Sequence, residues 1–143
     1  MKKNILALLL VSVVLWCGAG SAFAEEPAVT QPNHVVVYYF HTNFRCPNCY
    51  NMEKWTKEVV DTDFKDAQAN GTLVLKIINT ETKGNEHFMG DYKLFTKSVV
   101  LGLVKDAKEV KWTNLAKVWD FLRSATNFKT YVKDEISKYM KEL

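Results

Sequence analysis

Residues 34–41 read HVVVYYFH, with β-branched and aromatic side chains throughout and no Asp, Glu, Lys or Arg. A run like this leaves neither face fit for water, and predicts a strand buried on both faces of a sheet. Five residues after its end begins Cys46-Pro47-Asn48-Cys49. The stretch from 47 to about 60 then places Met52, Trp55, Val59 and Val60 on one apolar helical face. The opening unit is therefore strand, short turn, cysteine pair, helix.

The rest of the chain extends this pattern. A short helical stretch is expected over 64–68, stopped at Asn70-Gly71, followed by a buried strand LVLKII over 73–78. A polar loop over 79–84 leads to a helix near 86–94 and a third strand over 99–104. Lys105-Asp106-Ala107-Lys108 reads as a turn, and 109–112 as a short strand, antiparallel if the turn is tight. Asn114 is placed to cap a helix running to about Arg123. A last amphipathic helix carries Phe128, Val132, Ile136, Tyr139 and Leu143. Strands alternating with helices predict an α/β domain over 34–143. Its mixed four-stranded central sheet has a mostly parallel part, helices on both faces and an extra C-terminal helix. At 143 residues the chain has enough length for one such core.

The first segment has a different character. Lys2 and Lys3 precede an apolar run over 5–16, and Ala22-Phe23-Ala24 supplies the small-x-small ending that signal peptidase reads. A signal peptide over 1–24 is expected, cleaved after Ala24, with a flexible lead-in over 25–33 containing Pro27 and Pro32. An uncleaved anchor helix is the alternative, against which the AxA ending argues. A lipid-modified Cys17 is disfavoured because Trp16 stands where a small residue is needed. The whole chain carries a net charge of +3, and loss of the two lysines leaves about +1. With no basic patch and no interleaved aromatics, nucleic-acid binding has no support. Export leads to a periplasmic or other extracytoplasmic location where disulfides persist. Of three cysteines in the chain, only Cys46 and Cys49 would remain there.

The chemistry of this pair follows from position. Cys46 falls where the helix begins, facing unpaired N–H groups and the positive end of the macrodipole. Both favour a thiolate, and such placement lowers a cysteine from about 8.5 to roughly 3.5–7.5. Arg45 adds a neighbouring cation, and Pro47 fits a first turn that needs no donor. Cys49, one turn on, is expected to be more buried and less ionised. Cys46 would then attack a substrate disulfide and Cys49 would resolve the mixed disulfide; run in reverse, the oxidised pair accepts electrons from a dithiol. The pair itself carries the electrons, so no dissociable cofactor is required. A structural staple is a poor alternative, because a two-residue loop constrains the unfolded chain little. A metal site is the stronger one. Two thiolates with His41 or His87 could bind copper or zinc, although no second CxxC or HxxxH completes the set.

Strand, CxxC and helix together resemble the thioredoxin superfamily over residues 34–123. By that resemblance Tyr92 and the YKLFTKSV stretch correspond to the loop before the third strand, where the family carries a cis-proline and holds substrate. Here Lys97 and Ser98 occupy it. A cis bond before a residue other than proline costs about 2.5–4 kcal/mol, so a trans Lys97–Ser98 bond is expected. The family's buried acid on the first strand has no counterpart among Tyr38, Tyr39 and Phe40. At finer grain, FHTNFRCPNC, NEHF and YKLFTKSVVL are similar to exported bacterial proteins labelled nitrophenyl compound nitroreductase subunit ArsF. No flavin or nicotinamide motif accompanies them.

The remaining candidates are auxiliary. Glu53, one turn beyond Cys49, could assist proton transfer, or simply pair on the surface with Lys57. His41 could tune Cys46 or stand exposed at a strand end. His87 reads as a helix-cap residue, and Trp55, Trp112 and Trp119 as core. The expected function is exported thiol–disulfide exchange, with a protein or small-molecule thiol as substrate and a membrane electron donor or acceptor as recycling partner. The alternative is a metal-binding or scaffold protein on the same fold.

Overall fold

The apolar run forms β1 (His34–His41), and its side chains alternate between two hydrophobic layers. The computed structural model describes residues 32–143; the expected leader, its cleavage point and most of the lead-in lie outside the described residues. The elements that follow are α1 (Pro47–Asp63), α2 (Lys65–Ala69), β2 (Leu73–Asn79), α3 (His87–Asp91), β3 (Ser98–Lys105) and β4 (Lys108–Asn114). A 3-10 helix (Ala116–Trp119) and α4 (Ala125–Met140) complete the chain.

The sheet has the order β2-β1-β3-β4. β1 and β2 are parallel, whereas β3 runs antiparallel to β1 and β4 antiparallel to β3. Only one of the three pairings is thus parallel, less than the strand–helix alternation suggested. The segment between β2 and β3 explains the difference. It stays at one end of the sheet, with a single helix of five residues, and the chain re-enters at the end where β2 left it, so that Ser98 pairs with Phe40.

Val35, Val37 and Tyr39 face α1 and α4 in the larger core. α1 contributes Cys49, Met52, Thr56, Val59 and Val60, a single buried stripe. α4 lies beside it, with Trp55 and Phe128 rings 5.4 Å apart and ion pairs from Lys129 to Glu58 and Lys133 to Asp63. Ser124 caps α4 by accepting from the Asn127 N–H. The opposite face carries Val36, Tyr38, Phe40 and Val100 under Phe88, Tyr92 and Leu94. This is a thioredoxin-like α/β arrangement: a strand–CxxC–helix unit built into a mixed four-stranded sheet with flanking helices.

Several sequence expectations need correction. Asn114 caps no helix; it is the last residue of β4, and the Leu115 N–H donates to the Val99 carbonyl, extending the ladder. Burial of Leu115 keeps the chain extended, so only the 3-10 turn follows. α3 stops at Asp91, ahead of Lys93 in the left-handed region at φ 50°. Leu143 lies beyond the end of α4 and is exposed, and Trp112 lies on the open part of the second face.

Candidate functional site

The carboxyl ends of β1 and β2 and the start of β3 meet at one end of the sheet, where the cysteines lie. The turn leading to Cys46 is tied to the β2 exit. Asn43 N–H donates to Glu81, Asn79 donates to the Asn43 side chain, and Thr80 donates to the His41 carbonyl through both N–H and hydroxyl. Cys46 is the N-cap of α1, with extended backbone, and Pro47 follows in the first turn. Its carbonyl accepts from the N–H groups of Cys49 and Tyr50.

The two cysteines are unequal. Cys46 is half-buried and Cys49 is 1% exposed, because Cys49 begins the stripe that continues through Met52 and Thr56 into the core. Their sulfurs lie 2.6 Å apart and share a hydrogen bond. The Cys46 thiol is held below its usual range, first by the hydrogen bond from the Cys49 thiol and then by N–H groups of the first turn. Burial pushes the Cys49 thiol up, and the bond to Cys46 adds to this, with the Lys97 charge acting in the other direction.

The auxiliary residues are disposed less simply. Arg45 is directed not at the Cys46 sulfur but at Glu53, with which it forms a half-buried ion pair. Its guanidinium lies 4.4 Å from the centre of the Tyr50 ring and 5.8 Å from that of Tyr39, and its Nε is buried without a partner. Glu53 thus faces Arg45; the alternative pairing with Lys57 is not formed. His41 bonds through Nδ1 to the Thr42 carbonyl and stacks on Tyr39. Among the described residues no group of three or more His, Cys, Asp and Glu could hold a metal ion. His41 therefore does not complete a ligand set with the cysteines.

The loop before β3 closes the other side. The Lys97–Ser98 bond is trans. Ser98 is buried, and its hydroxyl donates to the Thr96 carbonyl. The Trp119 indole N–H donates to the Lys97 carbonyl at 3.1 Å, and the Lys97 ammonium stands 5.7 Å from the centre of the Phe44 ring. Phe44 and Phe95 are 76% and 95% exposed, and Phe95 borders a small cavity of about 110 Å³ lined in part by His41, Thr80, Met89 and Lys97.

Tyr39, Tyr50 and Trp119 also belong to this site; the sequence reading put Trp119 in the core and gave Tyr39 and Tyr50 no role. A signal for Tyr39 existed. Strand alternation puts it on the face of α1, and a tyrosine in that layer must find a partner for its hydroxyl.

No protein-family model and no curated protein matches the sequence. Solved structures similar to the chain include a thioredoxin from Fasciola hepatica, 18% identical, covering 65% of this chain and 82% of its own at a TM-score of 0.37. Thioredoxin f2 from Chlamydomonas reinhardtii is likewise 18% identical, covering 68% and 81% at a TM-score of 0.35.

Proposed function

We propose that this chain is an exported thiol–disulfide oxidoreductase working through Cys46 and Cys49. The observation that carries the reading is the inequality of the two thiols on one helical turn. Cys46 is half-buried and its pKa is lowered, whereas Cys49 is buried and its pKa is raised. The Cys46 thiolate attacks a substrate disulfide, forming a mixed disulfide and expelling one substrate thiolate. Cys49, losing its proton, attacks the Cys46 sulfur, closes the Cys46–Cys49 disulfide and releases the second thiolate, so that substrate gains two electrons and the pair loses two. An electron-rich dithiol substrate reverses both steps. The exposed Phe44 and Phe95 beside Lys97 support a polypeptide substrate with apolar side chains. Cleavage after Ala24 and recharging by a membrane partner belong to the same proposal, as does the likeness of FHTNFRCPNC and YKLFTKSVVL to the ArsF proteins.

Equilibration in glutathione buffers with a thiol probe tests the reading. A reversible two-electron transition is expected, lost in Cys46→Ser, while Cys49→Ser accumulates a mixed disulfide at Cys46. Stoichiometric copper or zinc retained through gel filtration, with no disulfide exchange, would overturn it. Export is checked separately by the mass of the secreted protein, which should begin at Glu25.

A further inference from the structure

Tyr39 is fully buried, yet its hydroxyl is not needed to fill space, since a phenylalanine ring would occupy the same volume. A buried hydroxyl is tolerated where it is bonded, and this one donates at 2.7 Å to the main-chain carbonyl of Cys49. The bond links the end of β1 to α1 at the second cysteine. The ring is fixed as well, stacked on His41 and lying under the Arg45 guanidinium, which is paired with Glu53. Among the described residues no corresponding side-chain bond reaches the Cys46 backbone; that carbonyl is held by the helix turn itself.

We propose that Tyr39 is a positioning residue for the second step of exchange. It holds residue 49 against the sheet so that its sulfur stays in line with Cys46 while the Cys46 sulfur is bonded to substrate. The proposal rests on the exchange reading above and deepens it. In the step concerned, the Cys49 thiolate forms a bond to the Cys46 sulfur, the bond from that sulfur to the substrate breaks, and the departing thiolate carries the electron pair. The hydroxyl gives no proton in this step. Burial pushes its pKa to about 12, so it remains a donor to the carbonyl throughout the neutral range.

The two steps separate with an aromatic disulfide. The reduced protein attacks 5,5′-dithiobis(2-nitrobenzoate) through Cys46 and releases one coloured thiolate; closure by Cys49 releases a second. In Tyr39→Phe the first phase is expected to stay within about twofold of wild type across pH, while the second slows by about tenfold. Tyr38→Phe removes a hydroxyl from the same strand on the opposite face, where it bonds Glu109, and should leave both phases unchanged. 4-Aminophenylalanine at position 39, which restores a donor on the same ring, should recover the second phase. A second phase unchanged in Tyr39→Phe, both phases slowed alike, or no rescue by the amino ring would overturn the positioning role. A wild-type protein that releases no second thiolate would instead refute the exchange reading beneath it.

Discussion

Arg45 is the residue on which most of the site's fixed geometry converges. Its guanidinium joins the Glu53 carboxylate and the faces of Tyr39 and Tyr50, bracing the turn before Cys46 against the second turn of α1. Both charged groups are half-buried, so the pair lies between an exposed bridge worth about 0–1 kcal/mol and a buried one whose disruption costs about 3–5 kcal/mol. Arg45→Ala is accordingly expected to destabilise by about 1–2 kcal/mol, read as a lower urea midpoint. Arg45→Lys should recover only part, because an ammonium keeps the charge but not the planar contact with two rings. Equal stability of Arg45→Ala and wild type would show the brace to be idle. Which residue Glu53 would meet was not legible in the sequence. Helical spacing offered Lys57, but Arg45 precedes the helix, and its direction is set by the turn over 42–45, which no periodicity describes. The inequality of Cys46 and Cys49 was legible, because Cys49 is in register with the apolar stripe that continues at Met52 and Cys46 stands at the helix cap, outside it.

At the scale of elements, the β3–β4 hairpin carries the most local strain. Asp106 and Ala107 both have positive φ, 50° and 60°, with Lys105 and Lys108 paired on either side. This is the two-residue turn whose twist suits a hairpin, and the tight-turn reading of Lys105–Lys108 anticipated it. Alanine bears a left-handed conformation at a cost of about 1–2 kcal/mol, against which glycine brings about 0.4–1 kcal/mol of extra freedom to the unfolded chain. Ala107→Gly is therefore expected to stabilise by roughly 0.5–1 kcal/mol in thermal or urea unfolding, and a loss of stability would mean the turn is not strained. The strands themselves were readable because unbroken apolar runs leave few alternatives. The direction of β3 was not, since an apolar run reads the same in either orientation. It is set by the segment over 80–97, which stays at one end of the sheet and returns the chain beside the end of β1, where Ser98 pairs with Phe40.

Across the whole molecule the sheet separates two unlike layers. Below it lies an aliphatic and aromatic core under two long helices; above it lies an aromatic cluster of Tyr38, Phe40, Phe88 and Tyr92, with Trp112 edge-on at 5.4 Å from Tyr92. A carboxylate from an exposed position of β4 is bonded onto this upper layer. Glu109 reaches across Gly102, where a Cβ would collide with its oxygen, and accepts from the Tyr92 hydroxyl at 2.9 Å and the Tyr38 hydroxyl at 3.4 Å. Burial raises its pKa from the usual 4.5; the two hydroxyls and Lys76 oppose the shift and Asp91 adds to it. The folded state thus binds this proton more tightly than the unfolded chain. Stability from this group is fully present below about pH 4.5 and is lost as pH rises through the folded value, then stays level. Glu109→Gln keeps an oxygen for Tyr92 and has no proton to lose. Urea unfolding between pH 4 and 7 should therefore find the variant more stable than wild type at neutral pH, with the gap closing on acidification. A gap that widens as pH falls would mean that the ionised carboxylate, held by its two tyrosines, is the form the fold prefers.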